Sequence, residues 1–244
     1  MPALELTPDE QAGFLAAAEL EVVARMRYSS NATFLVEARG DGLTVRAVYK
    51  PQRGERALWD FPTGTLCCRE VAAYEVSDAL GWGIVPPTVM RDDGPLGAGS
   101  LQWFVEHDPQ RHYFELVRTH AERFREFAVF DVLANNTDRK GGHCLFDEER
   151  GVVVGIDHGL TFHHHWKLRT VIWDFAGEPV APALADDVCR VLQEAERGAL
   201  GHRLGTLLSA PELAAMLGRA DDLLRAGVLP EPDGDYRAYP WPLV

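Results

Sequence analysis

The sequence predicts an α+β chain in two lobes: a small antiparallel-sheet lobe with one helix, then a larger, mainly helical lobe built around one hairpin. Three observations predict it. Short apolar and β-branched runs alternate with turn residues over 33–50 and 85–105. Helical periodicity dominates from His112 to Asn135 and returns near 182–198 and 210–226. Between these helical stretches, Cys144-Leu145-Phe146 and Val152 to Ile156 flank the turn Asp147-Glu148-Glu149-Arg150-Gly151, so the two runs should pair as a hairpin.

Taken in order, Thr7-Pro8-Asp9-Glu10 is a capping box that opens a first helix, expected to run to about Met26. Strands are expected near 33–38 and 43–50, and a helix near 66–80 with Val71, Tyr74, Ala79 and Leu80 on or near one face. Two more strands fall near 85–91 and 100–105. Phe114, Val117, Phe124, Phe127, Ala128, Val132 and Leu133 then mark one or two helices. The Pro- and Gly-rich tail from Leu229 to Val244 is expected to pack across the surface. The lobes are expected to divide as 1–106 and 107–244.

Composition excludes several function classes. A chain of 244 residues can bury a sizeable core. Its formal charge of -13 argues against nucleic acid and anionic membranes as partners, since both select basic surfaces. No apolar run approaches the ~20 residues of a membrane span, and Met1-Pro2 leads into an acidic helix rather than a signal peptide. A cytoplasmic location is expected. The four cysteines show neither a disulfide framework nor CxxC zinc spacing, so reduced thiols are the default.

The chemistry concentrates in Asn135 to His143, reading NNTDRKGGH, and in Ile156 to Gly159, reading IDHG. Closing the hairpin between them brings His143 close to Asp157, with Asp138 just beyond. One metal-nucleotide complex could touch all three. This geometry resembles the catalytic hairpin of the kinase-like superfamily, in which a catalytic-loop Asp is followed five residues later by a metal ligand and, after the hairpin, by a second metal-binding Asp. With no HRD before the loop and Asp157-His158-Gly159 at the DFG-like position, it is more similar to the atypical branch of phosphatidylinositol 3- and 4-kinases and HipA-like kinases. The whole chain also resembles an actinobacterial-type family grouped with that branch.

The resemblance implies a two-lobed protein-kinase-like fold and an ATP- and metal-dependent phosphotransferase acting on an unidentified small-molecule or protein hydroxyl. Lys50, ending the strand Thr44 to Tyr49, is then the phosphate-binding lysine, and Glu70 its helix partner, with Glu75 on a different helical face. Ser29, Ser30 and Asn31 take the role of a glycine-rich loop over the phosphates, unless they form only a polar turn. Phe104, Val105 and Glu106 form the hinge that reads adenine. Asp138 is the base toward the acceptor. Lys140 or Arg139 stabilises the transferring group, the alternative for Arg139 being a salt bridge that fixes the loop. Asp157 and His143 hold Mg²⁺ or Mn²⁺, an imidazole favouring Mn²⁺. Lys167 and Arg169, at i, i+2, would face an anionic acceptor from one side.

Two rivals stand beside this reading. A nucleotide-binding pseudokinase or regulatory module would keep the binding residues without turnover. A His-rich metal protein would use an alternating pair such as His163 and His165, near His143, His158 and His164, but it leaves Lys50 and Glu70 unexplained.

Overall fold

The computed structural model describes residues 6–26, 31–232, 234 and 236–244. Thr7 caps α1 (Pro8–Ala17) in the expected reciprocal box: the Glu10 amide donates to Thr7 Oγ1 at 3.3 Å, and the Thr7 amide to Glu10 Oε2 at 2.7 Å. The helix stops at Ala17 rather than near Met26. Glu19–Arg25 instead forms β1, an exposed strand paired with β2 (Phe34–Gly40). Its Glu-Leu-Glu-Val pattern has a period of two and contains β-branched residues, so ladder bonds to β2 outweigh a continued helix, and its charges suit an edge strand.

The antiparallel sheet has the order β1-β2-β3-β5-β4, with β3 Leu43–Pro51, β4 Thr88–Gly94 and β5 Gly97–Trp103. β4 begins three residues later than expected because Pro86 and Pro87 precede it and cannot donate to a ladder. Val36, Ala38, Val45, Ala47, Tyr49 and Leu101 bury one face of the sheet beneath Leu15 and Ala18. Period-two alternation then sends Arg46, Val48 and Lys50 to the opposite face. α2 (Leu66–Leu80) packs on β4 and β5 and is buried nearly all round, because α5 and α6 cover its other side. The sheet thus carries two helices, α1 as well as the expected α2.

The helical part comprises α3 (Tyr113–Leu116), α4 (Ala121–Ala134), α5 (Pro182–Arg197), α6 (Ala199–Leu207) and α7 (Ala210–Ala226). Its core joins Phe124, Phe127 and Phe130 of α4 to Val188, Leu204 and Met216, and also takes in Val76 and Leu80 of α2. α6 was not expected, since its two glycines weaken the helical pattern; burial of Leu200 and Leu204 supplies what propensity lacks. The hairpin pairs β6 (Cys144–Asp147) with β7 (Val152–Gly155) in the expected arrangement. Cys144 and Val153 join the helical core, while Leu145 and Val154 meet Val105 and Ile156 in a separate apolar patch below the sheet. Among the described residues no helix is long and apolar enough to cross a membrane.

Candidate active site between sheet and hairpin

α2 is started by a distant carboxylate. Glu55 accepts from the amides of Gly64 (2.6 Å), Leu66 (3.0 Å) and Cys67 (3.3 Å), supplying a negative charge at the helix N-terminus. This fixes Glu70 one turn into the helix, facing Lys50. Lys50 Nζ donates to Glu70 Oε1 and, at 2.8 Å, to Asp157 Oδ1. The other Glu70 oxygen accepts the His158 amide at 2.9 Å, so one buried carboxylate ties the strand lysine to the loop that carries Asp157. The glycine of Asp157-His158-Gly159 has a steric reason: a Cβ there would lie 3.3 Å from Glu70 Oε1. Asp157 itself adopts a left-handed backbone (φ 60), which Asp tolerates better than most residues.

The loop from Asn135 to His143 is held by its own side chains. α4 ends on Asn135 in the left-handed conformation (φ 48), and the Asn135 amide group donates to the carbonyls of His163 and His165. Asn136 Nδ2 donates to Asp131, and its Oδ1 accepts the Asp138 amide at 3.0 Å. Backbone bonds from Thr137 to Leu160 and from Arg139 to Arg169 stitch the loop to the segment that follows Gly159. Gly141 permits a further close approach: its amide donates to Leu243 O at 2.7 Å, and a Cβ there would meet the Phe114 ring at 2.9 Å. The C-terminal tail therefore rests on this loop.

Lys50, Glu70, Asp138 and Asp157 line one narrow cavity of about 60 Å³, with Asn31 and Thr33 on the sheet side. Lys140 pairs with Asp138 at 3.0 Å, and His143 Nε2 lies 3.5 Å from Asp157 Oδ2. Burial opposes the charge on Lys50, but Asp157 and Glu70 outweigh it and hold the ammonium pKa above its usual value. Lys50 in turn drives Asp157, whose side chain is 51% exposed, well below the usual carboxylate range. Burial raises Glu70, against the pull of Lys50. Burial also raises Asp138, and it pushes His143 down to about 4, leaving a neutral imidazole.

Beyond β5, the chain passes through Phe104, Val105 and Glu106 as a linker. The Phe104 amide is already bonded to Arg46 O (3.3 Å), and Val105 O is bonded to His107 Nδ1 (2.9 Å). The amides of Val105 and Glu106 donate to no acceptor among the described residues. The Glu106 carboxylate is paired with Arg46, which stacks over Phe104 at 4.8 Å.

Residues 82–194 match the sequence model described as Phosphatidylinositol 3- and 4-kinase, a stretch that holds Asp138, His143 and Asp157 but begins after Lys50 and Glu70. Protein Rv2133c of Mycobacterium tuberculosis (strain ATCC 25618 / H37Rv) is 42% identical, and the match covers 98% of this chain and 97% of the relative. The chain belongs to the Rv2133c family. Among solved structures, the Golgi casein kinase with Mn/ADP bound superposes with a TM-score of 0.56 at 14% identity, covering 97% of this chain and 80% of that one. Hydra Fam20 with sugar gives 0.54 at 16% identity, with 89% and 87% coverage. The Helicobacter pylori proinflammatory kinase CtkA gives 0.50 at 12% identity, with 88% and 94% coverage. This member of the Rv2133c family thus has the two-lobed fold of atypical kinases.

In this Rv2133c-family chain one expected role is corrected. Arg139 is fully buried: its guanidinium grips both oxygens of Asp131 at 2.9–3.2 Å and donates to His158 Nε2 at 2.7 Å. It cannot reach a transferring phosphate, and the loop-fixing salt bridge is its role. The His163/His165 metal pair is also corrected. His163 spends Nε2 on Asp60 O and Nδ1 on the His165 amide, and no group of three or more His, Cys, Asp or Glu converges on a metal position among the described residues. Ser29 and Ser30 lie outside the described residues, whereas Asn31 lines the cavity and accepts the Arg56 amide at 2.8 Å. Glu55, Asp131 and Asn136 were not expected. Asn136 stands two positions before Asp138 in the sequence, but only its contacts reveal that it orients the Asp138 backbone.

Proposed function

We propose that this protein transfers the γ-phosphoryl group of metal-bound ATP to an alcohol. The observation that carries the proposal is the juxtaposition of Lys50, Glu70, Asp157 and Asp138 around one cavity between sheet and hairpin. Adenine would sit between the sheet and the apolar patch of Leu145, Val154 and Ile156, reading the amides of Val105 and Glu106. The ionised Lys50 would orient the phosphates. Asp138, its pKa raised by burial, accepts the alcohol proton as the new P–O bond forms and the bond to the ADP oxygen breaks. Lys140, beside Asp138, faces the transferring group. The Mn/ADP of the Golgi casein kinase supports nucleotide and divalent-metal use here.

The donor set fits such a metal. Asp157 is ionised and the neutral His143 imidazole has a lone pair to give, with water and phosphate oxygens completing the shell. A divalent cation held there would neutralise charge on the β- and γ-phosphate oxygens. Because imidazole favours softer ions than Mg²⁺, turnover is expected to be faster with Mn²⁺, and His143→Asn is expected to shift the preference toward Mg²⁺. An unchanged metal preference in that variant would remove His143 from the ligand set.

The deciding experiment is ATP titration by calorimetry beside an ATP-consumption assay. Lys50→Met is expected to reduce affinity and turnover together, since the lysine touches phosphates in ground and transition states alike. A nucleotide-binding module without turnover is favoured by one observation, the imidazole in place of an oxygen donor at His143. Tight ATP binding without consumption, across sugar, peptide and polyol acceptors, would establish that second reading.

A further inference from the structure

A second cavity, of about 480 Å³, opens along the segment from Trp166 to Arg169. Trp59, Trp166 and Trp173 line it together with Lys167, Arg169 and Arg237. Its size falls in the range of small-molecule sites, about 300–1,000 Å³. Lys167, Arg169 and Arg237 line it beside one lining carboxylate, Glu231, with Lys167 also paired to Asp60 at 2.6 Å. The Trp59 indole is 92% exposed and Trp166 52%, large apolar surfaces left in water at a cavity wall rather than scattered singly. Trp59 is nonetheless held: Lys167 Nζ lies 4.7 Å from its ring centroid and is itself anchored to Asp60 at 2.6 Å.

The segment that lines this cavity is bonded to the loop that carries Asp138. The Lys167 amide donates to Asn135 Oδ1 at 2.9 Å, the Arg169 amide to Asn136 O at 2.8 Å, and the Arg139 amide to Arg169 O at 3.1 Å. Lys167 and Arg169 therefore leave one side of a segment bonded directly to the loop that carries Asp138. The Arg169 charge acts on Asp138, and no carboxylate lies within ion-pair distance of its guanidinium among the described residues.

We propose that this cavity is the acceptor site and that its ligand is a negatively charged carbohydrate, a phosphorylated or carboxylated hexose. The proposal rests on the phosphotransferase reading for its chemistry, though not for its binding test. The electron-rich faces of Trp59 and Trp166 suit the polarised C–H face of a sugar ring, as Trp59 already suits the Lys167 ammonium. Lys167 and Arg169 supply charge-assisted bonds to a phosphate or carboxylate. A sugar also carries the hydroxyl that Asp138 requires. In the transfer, that hydroxyl oxygen bonds to the γ-phosphorus, its proton passes to Asp138, and ADP leaves with the electrons of the broken P–O bond.

The test is calorimetric titration of the full chain with glucose 6-phosphate, glucuronate and glucose, each beside an ATP titration. Both anionic sugars are expected to bind at least about 10-fold more tightly than glucose, the scale of a hydrogen bond to a charged group. Arg169→Gln is expected to erase that preference, and Trp59→Ala with Trp166→Ala to weaken all three sugars, while both variants keep wild-type ATP affinity and hence the fold. Failure of either anionic sugar to outbind glucose, or an Arg169→Gln variant that binds them as the wild type does, overturns the inference and leaves the phosphotransferase reading intact. Turnover of a serine peptide flanked by acidic residues, with none of the sugars bound, overturns it in favour of a protein acceptor. Absence of ATP binding in the wild type sinks the phosphotransferase reading alone, because the sugar titrations still decide the cavity.

Discussion

Asp157→Ala is expected to abolish metal-dependent ATP binding and phosphoryl transfer together, whereas Asp138→Asn is expected to keep ATP affinity and lose roughly 10²-fold or more in turnover, the usual scale for a positioned base. The two carboxylates line one cavity, yet their surroundings differ. Asp157 is paired with Lys50 and faces His143, the basis for its proposed place at the nucleotide end. Asp138 is paired with Lys140, lies near Arg169 and has its pKa raised by burial, the basis for its proposed place at the acceptor end. Calorimetry and an ATP-consumption assay on each variant separate these roles. Loss of nucleotide binding in Asp138→Asn as complete as in Asp157→Ala would defeat the assignment of Asp138 as the base.

The second large effect concerns stability. Arg139→Met leaves Asp131 fully buried without its cation, and removing one partner of such a pair costs about 3–5 kcal/mol. At the size of this chain, that corresponds to a midpoint lower by roughly 10 °C. Arg139→Met combined with Asp131→Leu is expected to cost less than the single change, because no orphan charge remains, although Asn136 and Thr170 each lose a bond to Asp131. Thermal melts of the two variants are the measurement. An unchanged midpoint in Arg139→Met, accompanied by a collapse in turnover, would return Arg139 to the reacting phosphate.

The contrast between Arg139 and Lys50 shows what the sequence made legible. Lys50 ends a β-branched strand whose alternation fixes its face, Glu70 sits at a definite turn of a helix, and a hairpin of fixed register must bring His143 to Asp157. Each of these is a short-range rule. Arg139 differs because a charged residue in a polar loop carries no mark of burial; only the arrival of α4, with Asp131 on its inner face, removes it from water. The same limit hid β1, where pairing with a strand nine residues away replaced the last turns of a helix, and α6, whose stability comes from neighbours. It also hid the aromatic cavity, since Trp59 and Trp166 stand far apart in sequence and line one cavity only in the folded chain.

Arg69, one residue before Glu70, donates to Thr161 O at 2.6 Å and to the buried Glu212 of α7, while its guanidinium lies 4.8 Å from the Phe61 ring centroid. α2 is thereby fastened at the same turn to the sheet through Lys50 and to the far helical layer through Glu212. Kinase-like folds that switch by moving this helix need a face on which it can slide. Here that face is filled by α5 and α6. The Lys50–Glu70 pair is therefore held in place from both sides of α2. Under the proposed phosphoryl transfer, an α2 so fastened leaves no resting posture to be released from.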